Sequence, residues 1–389
     1  MARNRVAARR IALGLALVAA LVGCGQRPQA AQTVEAVFVS MPLRDAVLKL
    51  DPVSGEVLAT TKVGRLPHHM VVDERTRRLY VVLTGSQAVA EVDVDSGELL
   101  RTFLTAPVPM QRADGSAIEG HADGTAQRHT TCFACHSSEV GVKPTIIGNR
   151  PFALVFSEDR GSLFVSNTRG ASIARIDLRA GMAAPPLAVL PSGPAVEPTA
   201  LARVGERLYT TVLVPQPDDR AAALRAIDPA SGATLSEIPI GARPNFMLAD
   251  HRRGVLYVAN FETNTISEYS LQGEPRRAFT VGAGPQGMAL TPDGERLLVA
   301  NYYDNSLSLV ALDRGAVETF PLVLGEERYV NPSHLVPTDD GRGALVVTSG
   351  TKGALVRVDL ERRAVIGAAP LGPLPFDIVA VHSHGHSKR

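Results

Sequence analysis

"VLYVANFETNTISEYSLQGEPRRAFTVGAGPQGMALTPDG", residues 255–294, decides the fold. It runs through an apolar strand, a polar turn, an alternating strand, a turn, a third strand, Gly-x-x-Pro and a fourth strand. Alternation at period two marks strands with one buried face. "AVFVSMPLRDAVLKLDPVSGEVLATTKVGRLPHHMVVDE", residues 36–74, follows the same order of elements. First-strand cores recur at Val37, Leu79, Leu163, Leu208, Leu256, Leu297 and Leu345. The fourth strands start at Pro67, Pro151, Pro198, Pro244, Pro285, Pro332 and Pro375.

A unit of four short strands repeated roughly every 40–50 residues is the pattern of a β-propeller, here with seven blades. A sandwich or a barrel is the competing all-β reading. "LYVANFETNTISEYS" and "LLVANYYDNSLSLVALD" resemble the YVTN family of seven-bladed propellers, whose hallmark is Tyr-Val-Ala/Thr-Asn followed by a strand ending in Asp. The resemblance covers nearly all of 34–381. It implies that the strand after Gly-x-x-Pro is the innermost of its blade. The strand at 375–381 would then complete the first blade, so that the two ends of the chain share one sheet and no open edge remains.

The N-terminus addresses the chain for export. Arg3, Arg5, Arg9 and Arg10 precede the apolar run IALGLALVAALV, which is too short to span a bilayer and has the layout of a secretory signal. Leu21-Val22-Gly23-Cys24 resembles the lipobox of bacterial lipoproteins, which implies lipidation at Cys24 and a protein anchored by lipid on the periplasmic side of a bacterial membrane. Residues 1–23 then form the signal peptide and 24–33 a flexible tether. Net charge is +1, with no Trp and no basic stripe, so nucleic acid is an unfavoured partner. The tail 382–389, HSHGHSKR, reads as disordered, although alternating His382, His384 and His386 are of a kind that picks up metal ions.

One unit is interrupted. Between "LLRTFLTAP" and Pro151 stands a join over 108–150, where a handful of residues would suffice. It holds "RHTTCFACHSSE", in which Cys132, Cys135 and His136 spell C-x-x-C-H, the attachment motif of c-type haem. Two thiols add across the haem vinyl groups, and the adjacent His is the proximal iron ligand. Zinc would want a second Cys pair, which the chain lacks. A redox C-x-x-C sits in a thioredoxin-like fold, which the repeats exclude. A structural disulfide between Cys132 and Cys135 remains an alternative. For the distal ligand, His121 is favoured over Met110, and His129 stands too close to Cys132. A ligand from the propeller face or an open position are the other choices.

The register of the inner strands points to a second site. Two residues after each proline stand His69, Ala153, Ala200, Phe246, Gly287, His334 and Asp377. In a closed ring, Pro332, Pro375 and Pro67 begin neighbouring blades, so His334, Asp377 and His69 share one end of the channel, with His68 adjacent. Two His and a carboxylate resemble the facial ligand set of non-haem iron, with copper or zinc as alternatives. Water-bonded polar residues at a channel mouth are the plainer expectation. Three functions follow: haem electron transfer to a periplasmic redox partner, metal-dependent oxidoreductase chemistry on a small-molecule substrate, or a protein- or ligand-binding scaffold with structural haem. No Ser-His-Asp arrangement, phosphate loop or paired carboxylates argues for a hydrolase.

Overall fold

The computed structural model describes residues 33–105, 150–180, 187–191, 197–213, 222–241 and 243–383. Among them, seven four-stranded antiparallel sheets form the blades, with a short added hairpin at Val323–Leu324 and Glu327–Arg328. The inner strands are Pro67–Asp73, Pro151–Phe156, Glu197–Val204, Pro244–Asp250, Pro285–Leu290, Pro332–Pro337 and, for the first blade, Ile378–His382. The seven-bladed, all-β reading holds. The only helix among the described residues is one 3-10 turn, Pro42–Arg44, and none is long and apolar enough to cross a membrane.

The first blade closes the ring. Val34–Met41 pairs antiparallel with Ile378–His382 in the register Val37↔Ala380, Phe38↔Val379 and Val39↔Ile378. Two further backbone bonds extend the seam, Phe376 N–H to Ser40 O at 3.0 Å and Ser40 N–H to Asp377 O at 3.1 Å. The expected boundaries shift slightly: the closing strand starts at Ile378 rather than Pro375. His382 belongs to the sheet, paired with Val34, rather than to the tail.

Each blade buries both faces against its neighbours. Phe38, Val47 and Val381 of the closing blade pack with Leu79, Val81 and Ala90 of the second. Val37, Val39 and Met41 pack on the other side with Leu345, Val347 and Leu355 of the seventh. This is why the central strands read as continuous apolar runs, while the outer strand Leu99–Leu104 buries Phe103 alone.

Local chemistry sets the turns. Asp51, Asp93, Asp228 and Asp359 each accept two backbone N–H groups through one carboxylate oxygen, holding the turn into the outer strand. The residue before the inner-strand proline is left-handed at Leu66, Arg150, Arg243, Gly284, Asn331 and Leu374, with φ between 50° and 68°. A proline bars the preceding residue from the right-handed helical region. The left-handed turn instead aims its carbonyl at the exit of the second strand, where Thr84, Thr168, Phe261, Tyr302 and Ser349 donate their N–H groups.

Truncating Phe38 to Ala, at the seam between the first two blades, is expected to lower stability by about 3–5 kcal/mol, whereas the exposed Leu58→Ala should stay within about 0.5 kcal/mol. Urea denaturation of both variants checks this.

Candidate functional site at the channel mouth

The inner strands bring together what the proline register predicts, in a more apolar setting than expected. His68, His69, Phe152, Phe246, His334 and Phe376 form a cluster of rings at one end of the channel. His68 stacks on Phe376 with centroids 3.7 Å apart and planes 27° from parallel. His69 meets His334 edge to face at 5.2 Å, and Phe246 meets His334 at 5.4 Å. All three histidines are buried. A cavity of about 250 Å³ adjoins the cluster, walled by Met70, Leu154, Val155 and Leu201.

The hydrogen bonds fix the tautomers. His69 Nδ1 lies 2.9 Å from the carbonyl of Phe152, and His334 Nδ1 lies 3.0 Å from that of Phe376. A carbonyl only accepts, so each Nδ1 carries the proton. His68 Nδ1, 2.9 Å from His69 Nδ1, then faces that proton as an acceptor. Burial first, then repulsion from His68 and His334, depresses the His69 pKa well below the usual imidazole value, so His69 is neutral at physiological pH.

Asp377 departs from its expected role. Its Oδ2 accepts the Met70 N–H at 2.8 Å and its Oδ1 accepts the Ile378 N–H at 2.8 Å, while its own N–H donates to Ser40 Oγ at 3.0 Å. The carboxylate therefore joins the inner strands of the first two blades. Burial raises its pKa to about 7, against the two N–H groups that favour the charged form. Among the described residues no group of three or more His, Cys, Asp or Glu side chains is placed to hold a metal. The expected His69–His334–Asp377 ligand set is thus corrected to a pair of converging histidines beside a carboxylate that is committed to backbone. The physical reason is that a side chain two residues past the proline reaches the neighbouring strand's N–H before it reaches the channel axis. An iron, copper or zinc ion does not fit this donor set.

Gly287 holds the same register, and the space explains it. A Cβ there would come within 2.5 Å of Ser333 O and 2.7 Å of His334 Cα. Only a residue without a side chain lets the inner strands of the sixth and seventh blades approach here, and that approach places His334.

The long join opens at this end of the channel. Its two ends are gripped by adjacent residues of the third blade: Asn167 Nδ2 donates to Thr105 O at 2.9 Å, and Thr168 N–H donates to Arg150 O at 3.0 Å. Thr84 Oγ1 adds a bond to Pro151 O at 3.0 Å. Thr105 and Arg150 are both buried. The clamp was missed in the sequence, although Asn167 ends the strand "LFVSN" just as Asn260 and Asn301 end theirs. Those two asparagines donate to Ser and Thr hydroxyls within their own blades, whereas Asn167 also reaches the join. Met110, His121, Cys132, Cys135 and His136 lie outside the described residues, as does Cys24.

No protein-family model and no curated protein matches the chain. Solved structures do, on fold. The dihydro-heme d1 dehydrogenase NirN, in complex with DHE, is 16% identical, with a TM-score of 0.57 over 90% of this chain and 75% of its own. Hydrazine synthase from Kuenenia stuttgartiensis is 13% identical, with a TM-score of 0.57 over 87% and 92%. A streptogramin B lyase is 11% identical, with a TM-score of 0.56 over 80% and 86%. The chain is a seven-bladed propeller similar in architecture to these proteins.

The two titrating groups act in opposite directions. The raised pKa of Asp377 means that its contribution to stability is complete below the ordinary carboxylate range and is lost as pH rises through about 7. The depressed pKa of His69 gives a contribution present above the ordinary imidazole value and lost on acidification. Asp377→Asn should therefore reduce the loss of stability on going from about pH 4 to about pH 7. Urea midpoints across that range, for the wild type and the variant, make the comparison.

Proposed function

We propose that the chain is an exported, lipid-anchored haem c protein that takes part in periplasmic electron transfer or redox chemistry at the mouth of the propeller channel. One observation carries the reading. C-x-x-C-H stands in the single long join, and that join is anchored at the channel mouth by Asn167 and Thr168. In this reading Cys132 and Cys135 hold the haem covalently and His136 is the proximal ligand, with His121 or Met110 as the distal one. Haem c supplies one-electron exchange at its iron.

The propeller's own part is at the mouth. The rings there line a cavity together with Met70, Leu154 and Leu201, and the neutral His69 adds no charge to it. Cys24 supplies the lipid anchor that confines the protein to the periplasmic side of a bacterial membrane. The partner is a periplasmic redox protein or a small molecule. Haem chemistry accompanies this fold in at least one similar structure, the one named as a dihydro-heme d1 dehydrogenase. The resemblance to YVTN repeats adds the fold and no activity.

A metal-dependent oxidoreductase loses ground, because Asp377 has both oxygens on backbone N–H groups. A ligand-binding scaffold is the second reading, favoured by the cavity of about 250 Å³ with its apolar walls.

The double variant Cys132→Ala/Cys135→Ala, produced in a host with cytochrome c maturation, is expected to lose covalent haem and to keep the circular dichroism of a folded β-protein. The motif lies between strands, so no blade depends on it. Haem that resists extraction from the double variant would overturn the assignment.

A further inference from the structure

The cavity of about 250 Å³ beside the ring cluster combines apolar walls with few polar groups. Phe152 and Phe246 supply rings, Met247 and Met288 supply thioethers, and Leu154 and Leu201 supply aliphatic surface. Ring edges and thioether sulfur both make favourable contacts with an aromatic guest. An engineered apolar cavity of about 150 Å³ in another protein is enough for benzene. The larger space here has room for one substituted aromatic ring.

One polar group in the wall has a fixed hydrogen-bonding sense. His69 is 7% exposed, and its Nδ1 proton is held by the Phe152 carbonyl at 2.9 Å. Its Nε2 therefore carries a lone pair, on a ring that forms part of the cavity wall. Among the described residues no hydrogen bond reaches that nitrogen; both contacts of the ring are made through Nδ1. A lone pair in an apolar wall costs free energy until a donor reaches it.

The charge that a guest can carry is also limited. Among the described residues the wall holds no Lys or Arg. Its carboxylate, Asp377, has both oxygens on backbone N–H groups at 2.8 Å. An anion would meet that carboxylate with no cation to offset it. A cation would have to draw Asp377 away from two backbone donors. Burial lowers the His69 pKa and raises that of Asp377, so this place resists charge of either sign.

We propose that the cavity binds a small uncharged aromatic molecule that donates one O–H or N–H to His69 Nε2, a phenol being the simplest of the class. The inference deepens the ligand-binding reading of the cavity and rests on it. It does not depend on haem in the long join.

Calorimetric titration of the full chain, produced in a host with cytochrome c maturation, tests this with p-cresol, p-xylene and 4-methylbenzoate. The first two have the same shape and differ in hydroxyl against methyl; the third is an anion. p-Cresol should bind about tenfold more tightly than p-xylene, the factor that one recovered hydrogen bond supplies. Without an acceptor the order would reverse, because water holds a hydroxyl more strongly than a methyl. 4-Methylbenzoate should bind at least about tenfold more weakly than p-cresol. His69→Phe keeps a ring and removes the acceptor; it should weaken p-cresol about tenfold and leave p-xylene within about twofold. Ala200→Leu adds bulk to the cavity wall and should weaken both probes at least about tenfold. Circular dichroism checks that each variant folds, and the wild-type order of the probes decides even where a variant does not. A wild type that binds neither p-cresol nor p-xylene would sink the ligand-binding reading together with the proposal. p-Xylene or 4-methylbenzoate binding as tightly as p-cresol, or equal losses of both neutral probes in His69→Phe, would leave a ligand cavity and overturn the proposed class. Undiminished binding in Ala200→Leu would place the probes elsewhere and overturn the site.

Discussion

Ring closure is the constraint on which the rest of the structure depends. The pairing of Val34–Met41 with Ile378–His382 turns seven sheets into a circle. Without it, the first blade would lose its inner strand, and the apolar faces of the second and seventh blades would lose their partner. An open stack would also expose the edge of a central strand to solvent and to other chains. Closure is secured at three levels: the ladder itself, the Asp377 carboxylate reaching Met70 at one end, and the His382 imidazole between Glu74 and Asp339 at the other.

Closure also makes the mouth. Seven inner strands converge there, so side chains in one register crowd into a small volume. Crowding expels water, and the loss of water sets the chemistry: His69 is kept neutral and Asp377 holds its proton to about pH 7. A carboxylate in such surroundings turns to the nearest N–H donors. The result is a cluster of rings that lines a cavity beside a carboxylate bonded to backbone. The described ends of the long join, Thr105 and Arg150, are held beside these rings by Asn167 and Thr168.

Much of this was legible in the sequence because repetition is a strong signal. The prolines from Pro67 to Pro375 marked the inner strands, and the shared closing blade followed from the order of the repeats. Register alone placed His69, His334 and Asp377 at one end of the channel. It did not reveal where the side chains point, because a register shift follows the proline in blades such as those of Pro67/Met70 and Pro332/His334. The rings of Phe152 and Phe376, one residue earlier in the register, turned a polar cluster into a mostly apolar one. His382 was read with the tail because its neighbours Ser383 and His384 look unstructured, whereas its partners Glu74 and Asp339 are remote in sequence. Asn167 was hidden for a different reason: its strand-end position is shared with Asn260 and Asn301, and only the long join gives it a second task.

The most direct test of the account is the optical spectrum of the full chain from a host with cytochrome c maturation, recorded before and after extraction of non-covalent haem and paired with metal analysis. The account predicts a c-type spectrum that survives extraction, about one haem iron per chain by the single C-x-x-C-H motif, and no second stoichiometric metal. A colourless protein, or colour that leaves with the extraction, would contradict it.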